Sequence, residues 1–136
     1  MKKVLCALLV VAVFAGMALA KDFIAEREDA NARRKVWAEE STEFSPAMGA
    51  LGKAVLKDGA VSLKTKELIA VALSVQNRCE MCIMSHVQNA INAGVTREEL
   101  VDALGVCVLM GGGPNQSYAS IALEVYDQYK AQSDKK

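Results

Sequence analysis

The apolar positions of this 136-residue chain recur at three- and four-residue intervals, and no useful stretch alternates strictly between apolar and polar. That period belongs to α-helices. From Asp22 to about Glu43 the chain is charged, with Phe23, Ala30, Trp37 and Phe44 returning every seven residues. Such a narrow apolar stripe packs either on its own domain or on a neighbouring subunit. Ser45-Pro46 reads as an N-cap with proline at N1, opening a second helix that ends near Asp58-Gly59. Ser62 is placed to cap a third helix through Val75; Leu68 to Leu73 is apolar on every side, so burial nearly all round is expected. A fourth helix spans about Cys79 to Ala93, with Gly94 as its C′ residue. Thr96-Arg-Glu-Glu99 is a capping box that starts a fifth, through Met110. Gly111-Gly112-Gly113-Pro114 then breaks the chain in a tight turn, with Pro114 at N1 of a sixth helix to about Tyr129. The polar tail from Ala131 should fray. The expected fold is all-α: a compact bundle of about six helices, oligomeric, with no convincing internal repeat.

The first twenty residues read differently. Lys2 and Lys3 precede an apolar run broken only by Cys6, and Ala18-Leu19-Ala20 supplies the small residues of a cleavage site. The apolar stretch, about 17 residues with Gly16 inside it, is short for a membrane span. A signal peptide over residues 1–20, cut after Ala20, is therefore expected. It makes the protein periplasmic or secreted, with no stable membrane association after cleavage. Taking 20 residues from 136 leaves 116, enough for one compact domain.

Removing Lys2 and Lys3 from the 16 basic residues leaves 14 against 16 acidic ones. No basic face dominates, and Arg33-Arg34-Lys35 is flanked by acids, so nucleic acid is not an expected partner. Gly111-Gly112-Gly113 is not a phosphate loop, since no Lys-Ser/Thr follows and no strand precedes it. Trp37 and Tyr118 could line a pocket, but core packing is the better default for both.

Three cysteines remain beyond residue 20, too few for a disulfide-stapled scaffold. Cys107 lies in the apolar run 106–110 and reads as a small buried hydrophobe. Cys79-Glu-Met-Cys82 is different, because the chain's one histidine, His86, follows four residues later. At about 100° per residue the three side chains fall within roughly 60° on one helix face. Two thiols so close can exchange between dithiol and disulfide, and an imidazole one turn away can move a proton. The helix N-terminus favours a thiolate at Cys79, whereas His86 favours one at Cys82, and spacing alone does not choose between them. An inert disulfide is one rival reading. A zinc site is another, but it wants a fourth ligand and only Cys107 is at hand. A c-type haem needs histidine directly after the second cysteine, where Ile83 stands. No metal and no cofactor are expected. Glu67, an acid on an otherwise apolar helix, needs a partner if it is buried.

Glu67 followed at twelve residues by Cys79-Glu-Met-Cys82-Ile-Met-Ser-His86 resembles the active-site signature of the AhpD-like alkylhydroperoxidases, within the carboxymuconolactone decarboxylase superfamily. Leu63-Lys-Thr-Lys-Glu67, the junction from Ala93 to Leu100 and Gly111-Gly-Gly-Pro114 resemble the same core, so the likeness covers roughly residues 45–130. Together with the patterns above, the expected division is a signal peptide (1–20), an N-terminal amphipathic helix (21–44), an AhpD-like domain (45–130) and a polar tail (131–136). The resemblance implies trimers or hexamers and a thiol-dependent peroxidase. In that scheme Cys82 is attacked by peroxide, Cys79 resolves the sulfenic acid, and Glu67 with His86 relays protons. A peroxide substrate and a dithiol or protein-thiol reductant are the implied partners. Met81 stands where some members carry a second histidine; methionine cannot move protons, so any function of that histidine is missing or supplied by another group. The lactone-decarboxylating branch lacks the cysteine pair. A dithiol/disulfide oxidoreductase and a non-catalytic oligomer with a structural disulfide are the alternative functions.

Overall fold

Helix boundaries in this protein are set mostly by local capping chemistry. The computed structural model describes residues 21–135, and the expected signal peptide lies outside them. Among the described residues there are five helices and no strand: α1 (Phe23–Glu40), α2 (Phe44–Val55), α3 (Leu63–Gln76), α4 (Glu80–Asn92) and α5 (Arg97–Ser133). Asp22 caps α1 by accepting from the amides of Ile24 and Ala25, each at 3.0 Å. Ser62 caps α3 through the Thr65 amide. Thr96 and Glu99 form the reciprocal capping box at the start of α5. None of these helices is long and apolar enough to cross a membrane.

The all-α expectation holds, and the expected fifth and sixth helices are both present within α5. The turn between them shrinks to one residue, Gly112, at φ 66° and ψ −152°, a conformation that side-chain-bearing residues rarely adopt. Pro114 lies in the first turn beyond the kink, where its missing N–H goes unused. The tail does not fray at Ala131: the helix runs on to Ser133, whose hydroxyl donates to the Tyr129 carbonyl. A Lys130–Asp134 ion pair at 3.2 Å adds to that last turn.

The core is built by α3, α4 and α5, with Val71, Val75, Ile83, Met84, Val87 and Leu100 among its fully buried side chains. α1 lies across α4 and α5. It buries Phe23 and Ala30 and ties Arg27 to Gln88 and Arg34 to Ser85. The other half of its apolar stripe does not pack: Trp37 and Phe44 are both about 60% exposed, which corrects core packing for Trp37. Tyr118 is partly buried against the core. A second correction concerns α2, which starts at Phe44 with Glu43 as an uncapping N-cap, because Ser45 turns its hydroxyl to Ser41 instead. It ends at Val55, short of Asp58. A third concerns α3. Glu67, Val71, Ser74 and Val75 face inward, but Ile69 and Leu73 are 49% and 57% exposed, so one face of this apolar helix has no cover among the described residues.

Asn115 holds the kink. It is 2% exposed, and its amide donates to the Cys107 carbonyl at 2.9 Å, to Cys107 Sγ at 3.2 Å and to Gln76 Oε1 at 2.6 Å. Cys107 is a free, buried thiol that in turn donates to the Ala72 carbonyl at 3.2 Å. A Cβ on Gly111 would sit 1.9 Å from Asn115 Nδ2, whereas one on Gly113 would meet nothing. Gly111→Ala is therefore expected to destabilise by about 1–3 kcal/mol, by displacing a buried hydrogen-bonded amide. Gly113→Ala should stay within about 0.5 kcal/mol of wild type; urea unfolding of both variants checks the difference.

Tyr129 is 1% exposed, donates to the Phe23 carbonyl at 3.3 Å and lies under the Arg27 guanidinium. Burial pushes its phenol up to about 12 despite that nearby cation. The unfolded chain, with tyrosine near 10, loses this proton first. Stability from this group is thus full below about pH 10 and is lost as pH rises towards 12. Phenolate absorbance should show one tyrosine ionising together with unfolding, and Tyr129→Phe should remove that component of the alkaline decline.

Candidate active site

The junction between α3 and α4 is built as tightly as two helices allow. Arg78 takes the left-handed conformation at φ 54°, and its amide bonds to the Val75 carbonyl at 3.0 Å. The Cys79 amide bonds to the Ser74 carbonyl, also at 3.0 Å. These two bonds are the Schellman pattern, in which glycine usually fills the left-handed position. The same pattern closes α4, with Gly94 at φ 79° and bonds from Gly94 to Ile91 and from Val95 to Ala90. At the first junction an arginine carries the strain instead, directly before the first cysteine.

Cys79 is consequently both the residue that leaves α3 and the N-cap of α4. Its sulfur accepts from the Cys82 amide at 3.3 Å. Cys82 lies in the first turn, so both sulfurs sit at the positive end of the helix, where an anion is favoured. Cys79 and Cys82 are joined as a disulfide, with Cα atoms 5.2 Å apart. Glu80, between them, forms an ion pair with Lys21 at the start of α1. Each partner there is more than a third exposed, and the hydrogen bond to Glu80 raises the Lys21 ammonium above its ordinary value. Met81 packs against the core.

One turn below Cys82 on α4 stands His86. Its Nδ1 lies 2.8 Å from Oε2 of Glu67, which projects from α3 and is 2% exposed. A carboxylate only accepts, so Nδ1 donates to it, and Nε2 is left as the basic nitrogen of the neutral ring. Glu67 thus has the partner that its burial demands. The four residues singled out from the sequence occupy two packed helices: Glu67 and His86 are in contact, and Cys79 and Cys82 are bonded. Three features escaped the sequence reading: the left-handed Arg78, the Lys21–Glu80 pair and the buried Asn115. The first has no glycine to flag it, and the others depend on residues far apart in the chain.

Residues 42–125 match the family model described as the carboxymuconolactone decarboxylase family. The chain belongs to this family. A carboxymuconolactone decarboxylase family protein from Legionella pneumophila, solved in its apo form, superposes with a TM-score of 0.76 at 40% identity, over 79% of this chain and 96% of that one. A family member from Thermotoga maritima, described as having a suggested part in an antioxidative response, gives a TM-score of 0.69 at 26% identity, over 78% and 92%. An uncharacterized protein of Cupriavidus necator is 39% identical over 104 residues, which cover 66% of this chain and 92% of that protein. The alkyl hydroperoxide reductase AhpD of Anaeromyxobacter dehalogenans is 34% identical over 59 residues, 43% of this chain but only 28% of the reductase.

In this family member, His86→Ala would strand the Glu67 carboxylate in the core. The expected cost is about 2–3 kcal/mol. Adding Glu67→Leu should recover a good part of it, because the uncompensated charge goes too. A double-mutant cycle by urea unfolding measures both steps.

Proposed function

We propose that this protein is an exported thiol-dependent peroxidase that reduces hydrogen peroxide or organic hydroperoxides through a dithiol/disulfide cycle. The observation that carries the reading is a buried Glu67 carboxyl hydrogen-bonded to a half-buried His86, one helical turn from a cysteine disulfide. Family membership and the partial likeness to AhpD support it. The signal-like pattern of residues 1–20 supports export to the periplasm or beyond.

In the proposed cycle the dithiol form meets peroxide. Glu67 orients the imidazole and stabilises its cation, and His86 Nε2 takes the Cys82 proton. The Cys82 thiolate attacks one peroxide oxygen; the S–O bond forms, the O–O bond breaks, and Cys82 becomes a sulfenic acid. The departing alkoxide or hydroxide takes a proton from the His86 cation. The Cys79 thiol then attacks the Cys82 sulfur, water leaves, and the Cys79–Cys82 disulfide closes. A dithiol or protein-thiol reductant supplies two electrons and two protons to reopen it. Assigning attack to Cys82 follows the family resemblance and the position of His86. The capping bond at Cys79 favours a thiolate there as well, and so suits a resolving thiol that must react quickly.

Cys82→Ser should abolish peroxide consumption driven by a dithiol reductant. Cys79→Ser should still consume about one equivalent of peroxide and leave a sulfenic acid that dimedone traps and mass spectrometry locates at Cys82. Unaltered turnover in Cys82→Ser overturns the proposal.

A further inference from the structure

We propose that Lys21 is a positioning residue of the Cys79–Cys82 couple: by neutralising Glu80 it lets the first turn of α4 carry a thiolate. The proposal needs only that the disulfide opens, and it holds whether the oxidant is a peroxide or another disulfide. The N-terminus of α4 has to accommodate more than one anion. Its macrodipole and free amides favour negative charge. Glu80 already supplies one there, next to Cys79 and two residues from Cys82. A thiolate formed at either sulfur then meets a carboxylate of like sign, which disfavours its ionisation. Of the other charged groups around this turn, Arg78 is exposed and His86 is bonded to Glu67. The cation that meets Glu80 is Lys21, from the residue just ahead of the α1 cap.

Lys21 is held from both ends. Its carbonyl accepts from Gln128 Nε2 at 2.8 Å, and the Phe23 amide donates to Gln128 Oε1 at 2.9 Å, so one side chain of α5 brackets residues 21–23. Phe23 is buried, and its carbonyl accepts from Tyr129. The lysine side chain passes over the Phe23 ring, with Nζ 5.2 Å from the centroid, and ends on Glu80. Exposed ion pairs are usually weak, partly because two long side chains must be ordered to make them. Here α5 orders the lysine backbone in advance. The hydrogen bond to Glu80 raises the ammonium above its ordinary value, so the positive charge persists throughout the range in which thiols titrate.

A merely structural tie is the weaker explanation of this pair. Gln128 already fastens residues 21–23 to α5, while Arg27 on Gln88 and Arg34 on Ser85 fasten α1 to α4. The electrostatic role also has a definite sign. A thiolate carries a charge that the disulfide lacks. Without Lys21 the bare Glu80 carboxylate makes the thiols less acidic, and it disfavours the reduced pair wherever a thiolate is populated. Without Glu80 as well, the repulsion is gone and the acidity returns.

The test uses the full chain, purified in the N-terminal form the producing cell leaves and reduced with dithiothreitol. Its rate of alkylation by iodoacetamide, followed as pH is varied, reads the thiolate. Lys21→Gln should lower the acidity constant of the more acidic thiol about threefold, the effect of one unit charge on the order of 8 Å away in a largely aqueous setting. Above that thiol's pKa, the equilibrium constant for reduction by glutathione should fall by the same factor, about 14 mV for a two-electron couple. Adding Glu80→Gln to Lys21→Gln should restore both quantities to their wild-type values, which loss of a structural tie would not do. Unchanged acidity in Lys21→Gln, or a double variant that stays with the single one, overturns the proposal and leaves the peroxidase reading standing. A disulfide that dithiothreitol does not open overturns both. If the producing cell cuts Lys21→Gln at another bond, as its mass would show, Gln128→Leu takes its place with the same outcomes, because it frees the lysine backbone.

Discussion

A carboxylate in an apolar core is tolerated only while something holds it, and Glu67 is held by His86. This pair sets the register of α3 on α4, the two helices that also share the Arg78–Cys79 turn. A slip of one residue along either helix would turn one of the two side chains about 100° away from the other. The same register fixes where the disulfide lies relative to the imidazole, since Cys82 and His86 ride on one helix. Packing and chemistry therefore rest on one contact. The residues that fill the core around it, Val71, Val75, Ile83 and Val87, flank Glu67 and His86 along the same two helices.

Much of this was legible in the sequence because the signals were local. Ser62, Thr96-Glu99 and Gly94 act within a few residues of themselves, so the helix ends they mark are where capping rules put them. Gly111 to Pro114 announced a break, but its size depends on Asn115 reaching back to Cys107 and Gln76, a tertiary event. Arg78 was illegible for the opposite reason. Its left-handed backbone is imposed by the need to end α3 and cap α4 with adjacent residues, and an arginine pattern carries no trace of that demand. Ser45-Pro46 looked like a cap, yet Ser41 captures the serine hydroxyl and α2 begins two residues early.

The misplaced burial of α3 is informative in another way. Apolar patterning records every surface kept from water, whether by the same chain or by another molecule, and cannot tell the two apart. Ile69 and Leu73 complete an apolar circle around α3 that the described residues cover only on its inner side. Trp37 and Phe44 do the same for the end of the N-terminal stripe. In each case the sequence reads as more buried than the described residues make it, and the surplus falls on the faces that they leave open.

α3 thus carries two requirements on opposite sides. Its inner face presents Glu67, 2% exposed within one chain, whereas its partner His86 keeps about a quarter of its side chain, 28%, open to water. Its outer face presents Ile69 and Leu73, about half exposed. Fourteen residues of helix, held inward by core packing, by the Glu67–His86 bond and by the bonds from Cys107 to Ala72 and from Asn115 to Gln76, lose the freedom to rotate that would separate Oε2 from Nδ1. Core packing and the Glu67–His86 contact are in this way linked through one rigid element, and positional precision at the imidazole is where that link would be felt.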